Sequence, residues 1–260
     1  MLGFLRRRRR ERVGARPLPE AWWATIDRRV PMIAAMDEAD RRELGRIVQI
    51  LLDEKRFEGC GGLEMTDEIR VTIAAQAAVL LLHRPDPGYY PTLRSILVYP
   101  RAYFANTPRQ NPDGTVTEGP QGRLGESWFR GALVLSWDDV VRGAADEGDG
   151  RNVTLHEFAH QLDGQSGGMN GAPALASPAR YRDWARVLGE EYAQLAEDLH
   201  RGQAGGRTLI DPYGATNPPE FFAVVTELYF ERPGDLRRQH PELYEQLAAF
   251  YGPAPTQPNA

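Results

Sequence analysis

The stretch His156-Glu157-Phe158-Ala159-His160 is the most informative part of this sequence, and it sets what the rest of the fold must position. On an α-helix, residues four positions apart lie on the same face one turn apart, so both imidazoles point to one side. Two such nitrogens can bind one zinc ion at ordinary Zn–N distances. Glu157 follows the first histidine, so it can reach a metal-bound water while leaving the coordination position that catalytic zinc needs open. The motif therefore predicts a helix that carries part of a catalytic zinc site, with Glu157 as the general base.

The residues around the motif favour a helix. Asn152 can begin it, and Phe158 and Leu162 can bury the face opposite the histidines. Asp163 at the end of the motif could orient a ligand histidine through a hydrogen bond, although capping of the helix end or contact with solvent would suit it equally well. The alternative interpretation is an ordinary helix whose two histidines bind no metal.

A zinc site of this kind needs a third protein ligand. His200 and His240 lie in strongly charged helical patterns typical of surface residues, and His83 lies at a predicted helix end. Glu220 is a better candidate because aromatic and β-branched residues follow it, and a buried carboxylate needs a partner such as a metal ion. Glu227 lies seven residues later on the same helix face, so spacing alone leaves both glutamates open as ligands.

Composition sets wide limits on the fold. The chain has 260 residues, of which 42% are hydrophobic and 26% are charged, as in ordinary globular proteins. It contains no uninterrupted apolar stretch of the ~18 residues that a membrane helix needs. Its only cysteine, Cys60, cannot form an internal disulfide, and the short apolar start followed by arginines is not typical of a secretory signal. We therefore expect a cytoplasmic enzyme with one catalytic domain.

Charge is distributed unevenly along the chain. Residues 1–12 contain six arginines and Glu11, so this segment carries +5 and the remainder −10 of the net charge of −5. We expect residues 1–16 to form a disordered basic tail, residues 17–252 a single domain and residues 253–260 a flexible end. The tail could contact anionic lipid or nucleic acid, but the acidic body argues against nucleic acid as the main partner.

Periodicity and turn residues predict an α+β fold in which helices dominate and a small sheet lies in the middle of the chain. A long loop is predicted over 105–125, where Pro, Gly, Asn and Thr are frequent. Strands are predicted over 95–99 and 133–135. Helices are predicted over 21–35, 37–55, 66–82, from Ser136 or Asp138 onward, and over 151–163, 178–200, 217–230 and 235–251.

With these motifs in view, the chain resembles the Mlc titration factor A family of bacterial zinc metallopeptidases, which is related in catalytic-domain architecture to the anthrax lethal factor. The resemblance covers roughly residues 20–252. It is carried by the stretches 61–66, 96–100, 131–137, 152–163 and 211–222.

The resemblance implies a mostly helical zincin, or gluzincin-like, domain that binds one zinc ion per chain. It implies that Glu220 is the third ligand and that Tyr213 faces the metal and stabilises the oxyanion, whereas Tyr213 on its own would suggest a loop aromatic that covers the core. Glu227 could then support a ligand histidine. The segment 130–137 would be an edge strand that pairs with extended substrate, or a plain structural strand.

The family resemblance also bears on substrate and partners. It implies aminopeptidase-like activity on small peptides. One family member binds the glucose repressor Mlc, and nothing in this sequence identifies a repressor-binding surface.

Overall fold

The computed structural model describes residues 2–101, 104–105, 109–110, 116–117, 121–122, 131–146, 148–202 and 208–254. Helices dominate these ranges, and none of the described helices is long and apolar enough to cross a membrane. The helices are α1 Leu2–Gly14, α2 Glu20–Arg29, α3 Pro31–Ala34, α4 Glu38–Glu54, α5 Asp67–Val79, α6 Trp137–Ala145, α7 Val153–Asp163, α8 Pro178–His200, α9 Pro218–Glu231, α10 Pro233–Gln239 and α11 Pro241–Tyr251.

A small parallel sheet lies between the helices. Strands β1 Arg56–Gly59, β2 Ser95–Tyr99 and β7 Ala132–Ser136 pair in the order β1-β2-β7, so β7 forms one edge of the described sheet. Side chains alternate between buried and half-buried along β2, as expected when one face of a strand packs on a core. Four two-residue strands, β3 Phe104–Ala105, β4 Arg109–Gln110, β5 Val116–Thr117 and β6 Gln121–Gly122, form two antiparallel pairs.

The core surrounds α7 and α9, which pack against each other. Every residue of α9 from Phe221 to Glu231 is buried, which is typical of a helix in the interior of a domain. On α7, Phe158 faces inward, and its ring lies 4.8 Å from the ring of Tyr90. Two helices from distant parts of the sequence are thus held side by side in the centre of the molecule.

Side-chain caps explain where most of these helices begin. In each case a Ser, Thr, Asp or Asn side chain accepts a hydrogen bond from a backbone N–H of the first turn, which would otherwise have no partner. The capping residues are Asp37 on α4, Thr66 on α5, Ser136 on α6, Asn152 on α7, Ser177 on α8 and Asn217 on α9.

Residues 1–16 were expected to form a disordered tail, and in the structure Leu2–Gly14 form α1, which packs against α4. Arg6 and Arg10 both bind the Glu54 carboxylate at 2.7 Å, and Arg9 binds Asp53 at 2.7 Å. Burial would raise the pKa of Glu54, but these arginines outweigh it and lower that pKa to about 2. The arginine run forms a helix because half of its charges face carboxylates at the end of α4.

Proline breaks two of the predicted helices. The helix predicted over 21–35 is divided at Val30, and the helix predicted over 235–251 is divided at His240. Both residues precede a proline and have φ near −130°, with ψ of 76° and 62°, outside the helical region. The proline ring disfavours helical geometry in the preceding residue, so the chain bends there.

Other differences are smaller. Strand β1 was not predicted, because Arg56-Phe57-Glu58-Gly59 is short and half polar. The predicted loop over 105–125 lies largely outside the described residues, as does most of the predicted C-terminal end, 253–260. The remaining predicted helices and both predicted strands are confirmed, with ends shifted by up to three residues.

Glu54→Gln should loosen α1, since the neutral amide cannot pair with Arg6 and Arg10. The first turns of α1 should then be cut faster by trypsin, while global stability falls by only about 1 kcal/mol because the pairs are partly exposed. Glu11→Gln is the matched control, since Glu11 is exposed and pairs with Arg7 of the same helix. In the wild type the contribution of Glu54 should be full above its ordinary pKa of 4.5 and be lost as pH falls towards 2. Equal trypsin rates in both variants would contradict this account of α1.

Candidate metal centre

Helices α7 and α9 bring His156, His160 and Glu220 together. The Nε2 atoms of the two histidines lie 3.2 Å apart. The Oε2 atom of Glu220 lies 3.0 Å from Nε2 of His156 and 3.4 Å from Nε2 of His160. Three ligand atoms from two helices therefore form a nearly equilateral triangle.

The triangle has the dimensions of one face of a metal's coordination sphere. Tetrahedral coordination at the usual Zn–N and Zn–O distances separates neighbouring ligand atoms by about 3.3–3.4 Å. The observed separations are 3.0, 3.2 and 3.4 Å. Two imidazoles and a carboxylate also form a donor set that leaves a fourth position for water or substrate. The three residues can hold a metal ion.

A second glutamate of α9 holds the far side of His156. The Oε1 atom of Glu227 lies 2.6 Å from Nδ1 of His156, and its other oxygen accepts a hydrogen bond from the backbone N–H of Asn152. When Nδ1–H donates to Glu227, the lone pair of Nε2 points into the triangle. That is the tautomer in which His156 can bind a metal, and the Glu227 carboxylate is placed to accept the Nδ1 hydrogen.

The electrostatics of the centre favour a cation. Burial alone would lower the pKa of His156, but hydrogen bonds with Glu220 and Glu227 outweigh it and raise that pKa to about 10. Burial alone would raise the pKa of Glu220, but hydrogen bonds with the two histidines lower it to about 2. Burial also raises the pKa of Glu227 and lowers that of His160. Protons or a metal ion can therefore balance the negative charge of this largely buried group of carboxylates and imidazoles.

Asn152 connects the two helices, a role that the sequence alone did not reveal. Its side chain accepts hydrogen bonds from the N–H groups of Thr154 and Leu155 and so caps α7, while its own N–H donates to Glu227. At Gly143 an added Cβ would lie 3.0 Å from Cα of Asn152, so α6 can approach this cap only because residue 143 has no side chain. The sequence signal was an asparagine before the motif helix, and its second partner lies 75 residues away.

The start of α9 determines where Glu220 lies. Asn217 caps the helix by accepting a hydrogen bond from the N–H of Glu220 at 3.0 Å, and Pro218 and Pro219 fill the first two helical positions. Glu220 is consequently the third residue of the helix, and its carboxylate turns towards α7.

Glu157 and Tyr213 both lie within electrostatic reach of the triangle. Glu157 is 1% exposed, and its charge contributes to raising the pKa of His156 and of Tyr213. Tyr213 lies on a 3-10 turn, Pro212–Thr216, with its ring 6.0 Å from that of His156. Burial, Glu220 and Glu157 raise the pKa of Tyr213 to about 12, so its hydroxyl keeps the proton that a hydrogen-bond donor needs.

The structure gives Asp163 a different partner from the histidine that was considered. Its buried carboxylate accepts a hydrogen bond from Gly171 N–H at 2.8 Å, with further backbone bonds from Asn170 and Ala172. These bonds join Asp163 to the loop that follows α7, and a role in orienting a ligand histidine stays a prediction.

The other histidines lie apart from the triangle. His83 faces Asp40 at 3.4 Å, and His240 binds Glu191 at 2.8 Å. His200 ends α8. In the segment 130–137, residues 132–136 form the edge strand β7 and Trp137 begins α6, while Arg130 lies outside the described residues.

Comparisons with known proteins identify the family of this chain. Residues 4–252 match the sequence profile of the family described as glucose-regulated metallo-peptidase M90. An uncharacterised protein of Synechocystis sp. is 43% identical over 247 residues, which cover 94% of this chain and 87% of that protein. The Mlc titration factor A proteins of Yersinia pestis and Yersinia pseudotuberculosis are 29% identical over 228 residues, covering 85% of this chain and 81% of theirs.

These matches confirm the resemblance inferred from the motifs, and the family profile extends over nearly the whole chain, including most of α1. With its histidine and glutamate triangle between α7 and α9, the chain belongs to the glucose-regulated metallo-peptidase M90 family.

Proposed function

We propose that this protein is a zinc-dependent peptidase that hydrolyses small peptides in an aminopeptidase-like manner. The observation that carries the proposal is the triangle of His156, His160 and Glu220, whose edges suit tetrahedral zinc. Zinc is favoured over magnesium or calcium because those ions prefer ligand sets made only of oxygen.

In this proposal each side chain around the triangle has a defined task. Zinc, when bound, supplies Lewis-acid activation of a water molecule and of the scissile carbonyl. Glu157 accepts a proton from the attacking water and delivers it to the leaving amine. Tyr213 donates its phenolic hydrogen to the oxygen that becomes negative during the attack. Glu227 keeps His156 in the tautomer and orientation that binding requires.

The substrate class rests on two supports. The family resemblance implies small peptides as substrates. The edge position of β7 offers unpaired backbone groups within the described sheet, and an extended peptide can pair with such groups as an additional strand.

A regulatory role is the alternative. The name Mlc titration factor A says of those relatives that they titrate Mlc, so this chain could bind a repressor protein, with catalysis secondary. Repressor binding by the Glu157→Gln variant, together with an absence of peptide turnover by the wild type, would favour that alternative.

The first prediction concerns the metal. The wild type should contain one zinc per chain by elemental analysis, and His156→Ala or His160→Ala should lose it. Glu220→Gln should weaken zinc binding more than Glu227→Gln, because an amide oxygen is a poor ligand, while loss of a supporting partner costs about 10- to 100-fold. Stronger zinc binding by the Glu220 variant than by the Glu227 variant would reverse the two roles.

The second prediction concerns the general base. Glu157→Gln should retain zinc and abolish turnover, since the amide has nearly the same shape but cannot accept the proton. Steady-state kinetics on a panel of free and N-terminally blocked peptides would measure this and would also test the aminopeptidase assignment. Substantial turnover by this variant would remove Glu157 from the mechanism.

The third prediction concerns the oxyanion. Tyr213→Phe should lower kcat by about 10²- to 10³-fold with zinc content and KM nearly unchanged. Tyr181→Phe is a matched control, because Tyr181 is also a partly exposed tyrosine, and its hydroxyl accepts a hydrogen bond from the backbone N–H of Leu175. Equal kcat values in the two variants would show that Tyr213 has no catalytic part.

A further inference from the structure

Asp211 links the residues that precede α7 to the turn that carries Tyr213. Its Oδ1 atom accepts a hydrogen bond from the backbone N–H of Tyr213 at 2.8 Å, which begins the 3-10 turn. Its Oδ2 atom pairs with Nη2 of Arg151 at 2.5 Å. Arg151 directly precedes Asn152, the residue that caps α7.

These contacts close a ring around His156. His156 binds Glu227, Glu227 binds the N–H of Asn152, and the neighbouring Arg151 binds Asp211. Asp211 then holds the turn whose Tyr213 ring lies beside His156.

The turn needs such a contact because Tyr213 is poorly held by packing. Tyr213 is 53% exposed, and the turn is only five residues long. Its C-terminal part is fixed by the Tyr192 hydroxyl, which donates to the Ala215 carbonyl at 3.2 Å, and by the buried Gly214. Within the turn, the Tyr213 carbonyl accepts a hydrogen bond from the Thr216 hydroxyl at 2.7 Å and the Asp211 carbonyl accepts one from the Gly214 N–H at 2.9 Å. The side chain of Asp211 adds the bond to the N–H of Tyr213 and, through Arg151, ties the N-terminal part of the turn to the start of α7.

We propose that Asp211 and Arg151 are positioning residues that hold Tyr213 over the metal centre, so that their loss reduces catalysis through Tyr213 and leaves the metal ligands in place. The inference rests on the proposed function for its kinetic consequence. Its structural consequence, the ordering of the turn, can be measured separately.

Four substitutions separate the two bonds of the Asp211 side chain. Asp211→Ala removes both. Asp211→Asn keeps an oxygen that can accept the N–H of Tyr213 but loses the ion pair. Arg151→Gln also loses only the ion pair, and Arg151→Lys retains a cation that can restore it.

The kinetic test is a double-mutant cycle with Tyr213→Phe. Asp211→Ala should lower kcat by about 10- to 100-fold, as expected for a displaced catalytic group, with unchanged zinc content. In the Tyr213→Phe background the same substitution should have no further effect. Asp211→Asn and Arg151→Gln should each show a smaller loss, equal to each other and not additive, and Arg151→Lys should recover most of the activity.

The control is Arg201→Gln, which breaks an exposed ion pair of similar length with Glu197 at the end of α8 and should leave kcat unchanged. Because the Arg151–Asp211 pair is exposed on the arginine side, raising the salt concentration should also lower kcat of the wild type towards that of Arg151→Gln.

Hydrogen exchange supplies a readout that needs no activity. The amide of Tyr213 should exchange faster in Asp211→Ala than in the wild type, with Arg151→Gln between them and Arg201→Gln unchanged.

Wild-type exchange at Tyr213 in Asp211→Ala would overturn the proposal whatever the kinetics. Loss of zinc in parallel with activity, or a full further loss in the Tyr213→Phe background, would also overturn it. If Glu157→Gln stays active while exchange behaves as expected, the proposed chemistry fails and the positioning role stands.

Discussion

The hydrogen bond between His156 and Glu227 is the contact on which the rest of the centre depends. It joins α7 to α9 inside the core, where an unpaired carboxylate or imidazolium would be costly. The second oxygen of Glu227 reaches the N–H of Asn152, so one carboxylate fixes the ring of His156 and the first turn of α7. This places Nε2 of His156 where Nε2 of His160 and the carboxylate of Glu220 can share a cation with it.

Because the centre is buried, its carboxylates are costly unless positive charge accompanies them. Helix α9 is enclosed along nearly its whole length, and its Glu220 and Glu227 carboxylates both contact His156 of α7. Their negative charges oppose folding unless positive charge enters with them. A metal ion can supply that positive charge, and the ring of Tyr213, which is 53% exposed, lies beside His156.

Features that depend on neighbouring residues could be predicted from the sequence, whereas features that depend on residues far apart in the chain could not. The motif helix, its cap at Asn152 and the glutamate-bearing helix are local features, so periodicity and capping chemistry predicted them. The breaks at Val30 and His240 also had a local signal, because a proline follows each residue. The prediction gave more weight to the helical periodicity and so missed both breaks. The packing of α1 against α4 could not be predicted, because the partner of Arg10 is Glu54, 44 residues away. An arginine run by itself suggests a solvated tail.

Glu220 and Glu227 of α9 show what the local sequence cannot predict. They lie seven residues apart on one face, so helical geometry allows either to approach His156. An imidazole has two nitrogens on opposite sides, and each glutamate takes one: Glu220 lies at Nε2, and Glu227 at Nδ1. The position of α9 along the axis of α7 determines which glutamate meets which nitrogen of His156. That position is fixed by the bond from Asn152 to Glu227 together with the start of α9 at Asn217. The roles of the glutamates therefore follow from the packing of two helices and cannot be derived from the spacing within one of them.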